Sequence, residues 1–250
     1  MFKLNLGLLA LSLVSVTSAH ASDSHKTPHW SYEGEAGPEN WGELAHDYHL
    51  CREGNEQSPI DLRWKKPQSG HEMKFDYQAT GAKVVDNGHT VQVNFSPGSK
   101  LSLEGKDFDL LQMHFHTRSE HSLSKKHFPL EAHFVHKNAK GELAVVGVFF
   151  SIGKENPTLA KIWEAIPETQ GKEKDLKLKG WSPDSLLPQA RTHYHYKGSL
   201  TTPPCSEGVD WNVFNTPLEV SKKQLERFHQ LYTNNARPVQ SLHERRPANY

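Results

Sequence analysis

Three histidines and one carboxylate carry the clearest chemistry in this sequence. His114 and His116 lie two residues apart in Leu111-Gln112-Met113-His114-Phe115-His116, and His133 follows in Leu130-Glu131-Ala132-His133-Phe134-Val135-His136. An extended strand places residues i and i+2 on one face. Gln112, His114 and His116 then share a face, while Leu111, Met113 and Phe115 are directed the other way, toward a core. In the second segment Glu131, His133 and Val135 share a face. Two such strands in one sheet bring three imidazoles to one point. Three neutral nitrogen ligands with an open fourth position describe a catalytic zinc site, not a structural one. A ligating imidazole also needs its second ring nitrogen held by an acceptor. Gln112 and Glu131 are placed for this, each two residues from a histidine on its own face. His-x-His alone is a weak signal in a chain with 17 histidines among 250 residues. The third histidine, the carboxylate and the alternation together point to metal.

Positioning such side chains asks for a β-rich chain. Alternation and turn residues predict strands at residues 84–85 and 91–95 around an Asn87-Gly88 turn, then at 100–103, 108–117, 130–136, 144–151 and 209–214. The stretch 144–151 is almost continuously apolar, as expected of a strand buried on both faces. A helix is predicted over residues 157–165, opened by Pro157, with Leu159, Ile162 and Trp163 at helical spacing. A second is predicted over 221–231 with Ser221 as its N-cap, and a helical turn over 184–187. Residues 22–57, rich in Gly, Pro, Trp and Asn, read as irregular. The lysine-rich stretch 171–179 reads as a solvated loop. No repeat or linker divides the chain, which predicts one β-rich domain over residues 22–250.

Lys plus Arg and Asp plus Glu number 29 each, so the formal net charge is zero. Without a basic stripe, a nucleic-acid partner is not expected. Met1-Phe2-Lys3, an apolar run over residues 4–16 and Ala19-His20-Ala21 form the pattern of a signal peptide over residues 1–21. The run is too short for a transmembrane helix, and no other segment is apolar enough to act as a membrane anchor. In an oxidising compartment Cys51 and Cys205 are most simply one disulfide, two buried free thiols being the alternative. No cysteines cluster at metal spacing, so zinc would be held by histidine or carboxylate.

A longer set of ordered motifs surrounds the histidines. They are His29-Trp30-Ser31-Tyr32, Gly37-Pro38-Glu39-Asn40-Trp41, Gln57-Ser58-Pro59-Ile60, Asn87-Gly88-His89, Ser119-Glu120-His121, Gly198-Ser199-Leu200-Thr201-Thr202-Pro203-Pro204 and Asn235-Ala236-Arg237-Pro238. With the two histidine segments, they make residues 30–240 resemble the α-class carbonic anhydrases, of the bacterial secreted type. The resemblance implies a mainly β single domain: a central twisted, mostly antiparallel ten-stranded sheet with short peripheral helices. It implies one zinc per chain on His114, His116 and His133. The implied reaction is reversible hydration of carbon dioxide to bicarbonate and a proton, by zinc-hydroxide attack and histidine proton shuttling. Carbonic anhydrase is itself the standard case of zinc lowering the pKa of bound water to about 7.

The resemblance also assigns expected roles. Thr201 and Glu120 match the pair that orients the nucleophile, with the Thr201 hydroxyl donating to Glu120. Carbon dioxide is apolar and uncharged, so it needs an apolar wall, matched by Val135, Val145, Leu200, Val209 and Trp211; Thr202 matches a bicarbonate contact. His89 matches the proton shuttle, since an unperturbed histidine titrates near neutral pH. Tyr32, Asn87 and Gln92 match positions that order the water path, Gln92 departing from the asparagine frequent in animal members. Tyr196 matches a hydrogen-bonding position near the Thr201 loop. Asn235 matches a residue whose main chain supports a zinc ligand, its side chain having no assigned part. His121 and His136 are expected to be structural. Cys51 and Cys205 match the disulfide of secreted and bacterial members. The leader fits either the periplasm or the extracellular medium; the missing anchor and the bacterial character of the motifs favour the periplasm, and a homodimer is the assembly the resemblance suggests. The rival readings are a non-enzymatic relative, which would lack one of the zinc histidines, and a zinc scavenger, which would need neither Thr201, Glu120 nor the wall.

Overall fold

The short alternating stretches pair into one large twisted sheet in the computed structural model, which describes residues 28–177 and 180–250. The expected leader, residues 1–21, lies outside the described residues. In chain order the strands are β1 (Asp61–Leu62), β2 (Met73–Asp76), β3 (Ala82–Asp86), β4 (Val91–Phe95), β5 (Lys100–Leu103), β6 (Lys106–His116), β7 (Ser122–Leu123), β8 (Lys126–His127), β9 (Leu130–Lys137), β10 (Leu143–Ile152), β11 (Glu173–Asp175), β12 (His193–Ser199), β13 (Glu207–Phe214), β14 (Leu218–Val220) and β15 (Ala248–Asn249). The main sheet runs β11-β3-β4-β6-β9-β10-β13-β12-β15, with β5 and then β2 also pairing beside β6, and β14 beside β10. Within this sheet, among the described residues, only β13 and β14 run parallel to a neighbour, β10 in both cases. The sheet is therefore mostly antiparallel, as expected, but it holds twelve strands and not ten. Members such as β11 and β15 are too short for a period-2 pattern to announce them. β11 lies inside the lysine-rich stretch expected to be a loop; its side chains are exposed, yet its backbone pairs with β3.

Each face of the sheet covers a separate apolar cluster. Val84, Val93, Met113, Phe115, Phe134, Val146 and Val148 face the larger one. It is closed by α3 (Pro157–Glu164) and α4 (Lys222–His229), whose Trp163 and Phe228 rings stack at 5.3 Å. The Asn156 side chain caps α3 by accepting from Thr158 N and Leu159 N. Ser221 and Gln224 cap α4 reciprocally, which leaves neither partner's donor unpaired. Ile60, Val145, Phe149, Tyr194, Tyr196, Val209, Trp211 and Val213 form the second cluster on the opposite face. β10 serves both, and its residues from Ala144 to Phe150 are all buried. Within the segment expected to be irregular, the chain forms two single-turn helices, α1 (Trp41–Leu44) and α2 (Leu50–Glu53).

One irregularity in β6 decides where the histidines point. The pairing of β6 with β9 shifts between Leu110 and Gln112. Leu111 is the extra residue, and it is 43% exposed, contrary to the core placement that simple alternation expects. Phe108 and Leu110 before it, and Met113 and Phe115 after it, all reach the larger core. A bulge changes the parity of a strand by one residue. Had β6 been regular, Gln112, His114 and His116 would have continued the face of Phe108 and Leu110.

Cys51 and Cys205 form a disulfide that closes a separation of 154 residues. It ties α2 to the loop after β12. Chain entropy alone assigns a loop of this length about 5 kcal/mol, an upper figure for a real crosslink. Reduction is expected to lower the melting temperature and leave zinc affinity nearly unchanged. Thermal melts with and without reductant check this, and thiols titrating in the unfolded, unreduced chain would contradict it. Among the described residues no helix is long and apolar enough to cross a membrane.

Candidate metal centre

Antiparallel pairing of β6 with β9 sets His114 directly opposite His133, His116 opposite Glu131 and Gln112 opposite Val135. One donor atom from each of His114, His116 and His133 lies within 4.8 Å of the others. Each ring has its second nitrogen engaged. His114 Nδ1 donates to Gln112 Oε1 at 2.8 Å, His116 Nδ1 to the Asn235 carbonyl at 2.7 Å, and His133 Nε2 to Glu131 Oε1 at 2.9 Å. These partners fix the tautomers and leave His114 Nε2, His116 Nε2 and His133 Nδ1 as bare lone pairs. Burial holds the pKa of His114 well below the ordinary value, with help from the neighbouring imidazoles of His116 and His133. Burial lowers His116 as well. Both are therefore in the neutral, ligating form at pH 7.

Two acceptors face each other at the centre. His116 Nε2 and Glu120 Oε2 are buried, have no hydrogen-bond partner and lie 3.5 Å apart. Glu120 Oε2 is also 3.8 Å from His133 Nδ1. A bare imidazole lone pair against a carboxylate in a buried site is unfavourable without a positive charge between or beside them. Three neutral nitrogens with a nearby anion are the donor set that a divalent zinc ion fits.

The surrounding hydrogen bonds are unequal. Glu131 accepts from His133 and also from His121, through its Nδ1 at 2.8 Å and its backbone N at 2.9 Å. Burial alone would raise its pKa, but His121 and His133 outweigh that and hold it well below the usual carboxylate range. Gly147 makes room for this carboxylate: a Cβ there would sit 3.1 Å from Glu131 Oε1 and 3.2 Å from Val213. His121 Nε2 continues to the Tyr196 hydroxyl at 2.7 Å, which meets Ser58 Oγ at 2.8 Å. Gln112, half-buried, holds one imidazole only. Truncation of either partner is expected to weaken zinc within the roughly 10–100-fold range for outer ligands. Glu131→Ala should fall at the upper end and Gln112→Ala at the lower, checked by competition with a chelator. Equal losses would contradict this ranking.

The remaining expected residues divide into three groups. Val135, Val145, Leu200, Val209 and Trp211 all join the second apolar cluster, and the Trp211 ring lies 4.8 Å from that of His133. Thr201 is buried and Thr202 half-buried, in the loop after β12, where Cys205 N donates to the Thr202 carbonyl. The expected hydrogen bond from Thr201 to Glu120 is not formed. Glu120 Oε1 accepts from Arg237 N at 2.8 Å, and Oε2 faces the imidazoles with no hydrogen bond. His89, Tyr32, Asn87 and Gln92 form the third group, on the rim. The half-buried His89 ring stacks on Trp30 at 3.8 Å. Burial, and then His29, lower its pKa from the ordinary value. Asn87 Oδ1 accepts from the backbone N of His89 and of Thr90, and its amide donates to Gln92. Tyr32 packs edge-on against Trp30 and Trp41.

Asn235 does more than lend a carbonyl. Its side chain accepts from Thr117 N at 2.8 Å and donates to the carbonyls of Phe115 and His89. It thus clamps the end of β6 to the His89 turn, correcting the expectation that this side chain has no part. Arg237 stands in the sequence only as a member of its motif, with no role expected of it. It is buried, donates to Gln57, Ser58 and Cys51, and burial lowers its pKa to about 10. An arginine inside a motif otherwise made of turn residues was the available signal.

Known proteins resemble this chain over most of its length. The family model for eukaryotic-type carbonic anhydrases matches residues 36–248. A carbonic anhydrase from Nostoc sp. is 43% identical over 247 residues, covering 97% of this chain and 93% of that one. The α-carbonic anhydrase of Thermovibrio ammonificans, solved with the inhibitor sulfanilamide, superposes with a TM-score of 0.86 at 44% identity, covering 89% of this chain and all of that one. The Photobacterium profundum α-carbonic anhydrase superposes with a TM-score of 0.82 at 44% identity, over 88% of this chain and all of that one.

Proposed function

The chain belongs to the eukaryotic-type, or α-class, carbonic anhydrase family and is an enzyme, and from that premise we propose that it interconverts carbon dioxide and bicarbonate at one catalytic zinc held by His114, His116 and His133. The observation that carries the zinc assignment is the set of three bare imidazole nitrogens, each with its other nitrogen engaged, converging beside an apolar wall. Bound there, zinc would supply a Lewis acid that makes water a nucleophile at neutral pH.

The chain's own residues do the rest. Gln112, Glu131 and the Asn235 carbonyl hold the three tautomers. Val135, Val145, Leu200, Val209 and Trp211 present apolar surface to a substrate that offers no charge to grip. The Thr201 hydroxyl, with one donor and two acceptor sites, orients the attacking oxygen, and Thr202 meets the bicarbonate product. Glu120 is fixed by Arg237 N through one oxygen and presents the other to the imidazoles of His116 and His133. His89 accepts the released proton at the rim. Its lowered pKa keeps the ring unprotonated at neutral pH, ready for that step. Residues 1–21 act as an export signal, and the periplasm is the proposed compartment. The Cys51–Cys205 disulfide suits an oxidising compartment of this kind.

Val145→Tyr tests the wall. A phenol ring projecting from this position would occupy the space beside the zinc ligands. The fall expected in kcat/KM for carbon dioxide hydration is roughly tenfold or more, about 1.4 kcal/mol of transition-state stabilisation, with zinc content unchanged. Full zinc with unaltered hydration kinetics would remove Val145 from the substrate site.

A further inference from the structure

A second group of metal-type donors lies on the opposite face of the same sheet. Tyr194 and Tyr196 of β12, and Val209, Trp211 and Val213 of β13, face the catalytic side. Alternation therefore turns His193, His195, Asp210 and Asn212 the other way. His71, from the segment before β2, stacks over His195 with ring centroids 4.1 Å apart. One donor atom from each of His71, His195 and Asp210 lies within 4.8 Å of the others.

The tautomers of His193 and His71 follow from their partners. His193 Nδ1 donates to the Arg191 carbonyl at 2.8 Å, so its Nε2 is an acceptor. That nitrogen takes the proton of His71 Nδ1 at 3.1 Å, which leaves His71 Nε2 as a bare lone pair. A ligand whose second nitrogen is held by a neighbour is the arrangement of an oriented metal-binding histidine. His195 Nε2 is 3.0 Å from Asp210 Oδ1, yet it is buried and not aligned as a hydrogen bond. Two donors about 2.0–2.1 Å from a tetrahedral ion stand roughly 3.3 Å apart, close to this spacing.

The charges are compatible with a cation. Burial would raise the Asp210 pKa, but His195 and Lys197 outweigh it, so the carboxylate stays ionised. Lys197 Nζ lies on its other oxygen at 2.6 Å, and Asn212 donates to Oδ1. Burial, with His195 and His193, pushes His71 down to about 4, so it is neutral at pH 7. A cleft rimmed by Glu104, Lys106 and Glu142 opens onto these three donors and gives solvent access to further coordination positions.

We propose that His71, His195 and Asp210 form a second, non-catalytic zinc site that fastens the segment before β2 to β12 and β13. Two imidazoles and one carboxylate suit zinc and similar transition ions, whereas calcium and magnesium take oxygen ligands. Occupation adds stability by mass action and leaves turnover alone, because none of the three residues faces the catalytic side.

The test is metal analysis on the mature chain without a histidine tag, after equilibrium dialysis against micromolar free zinc. Wild type should hold two zinc ions per chain. His71→Ala and Asp210→Asn should each hold one, with carbon dioxide hydration unchanged. Wild type also needs no variant to decide the matter: its melting temperature should rise again after the first equivalent is bound. One zinc in wild type under these conditions overturns the proposal, and so does a second zinc retained by both variants. The catalytic assignment is read separately, since its zinc should disappear with His114→Ala and persist with His71→Ala.

Discussion

His114→Ala should reduce carbon dioxide hydration to near the uncatalysed rate. The argument is geometric. His114 and His133 are direct cross-strand partners, so removing the imidazole leaves two donors, His116 Nε2 and His133 Nδ1, on adjacent strands. Two donors cannot enforce a tetrahedral site with an open fourth position. The substitution also strips Gln112 Oε1 of its partner. Metal analysis on the purified variant should show one zinc fewer than wild type, and stopped-flow hydration should show the loss of rate. The fold should survive, because His114 faces away from the larger core that Met113 and Phe115 build. A variant with wild-type zinc and wild-type hydration would remove His114 from the site.

His89→Ala should separate the two halves of the reaction. Attack on carbon dioxide takes place at the zinc ligands and does not involve His89, whereas proton export does. kcat/KM for hydration should stay nearly unchanged while kcat falls, on the order of 100-fold in dilute buffer, the lower end of what a positioned acid–base group contributes. Imidazole buffer should restore much of kcat, since a mobile base that titrates near neutral pH takes the same proton. Truncation should leave the turn in place, because its backbone is held by Asn87 Oδ1 and Asn235 Nδ2 and not by the ring. If kcat and kcat/KM fall together and imidazole rescues neither, His89 shapes the site. If neither parameter moves, another group carries the proton.

Period-2 spacing was enough to place His114, His116, His133, Gln112 and Glu131 on common faces, because side-chain direction in a strand is a local property. What joins the two strands is not local. The register that sets His114 against His133 depends on the bulge at Leu111, and no residue type there announces a bulge. The holder of His116 is a backbone carbonyl from Asn235, and a carbonyl has no signature in a sequence; only the family resemblance pointed to it. Strand β12 went unread although it carries Tyr196. Its His193-Tyr194-His195-Tyr196 run alternates imidazole with phenol, and both side chains are amphipathic. The same run hid His195 as a donor on the far face, since its partners His71 and Asp210 lie in separate parts of the chain.

The most direct test of the catalytic assignment is stopped-flow hydration of carbon dioxide by the purified mature chain, metal-stripped and then reloaded with one equivalent of zinc. The stripped chain should be inactive, and a single equivalent should restore full activity, because the site of His114, His116 and His133 has three pre-oriented imidazoles, two of them buried, and fills first. Activity that survives complete stripping, or that fails to return with zinc on a folded chain, would contradict the account.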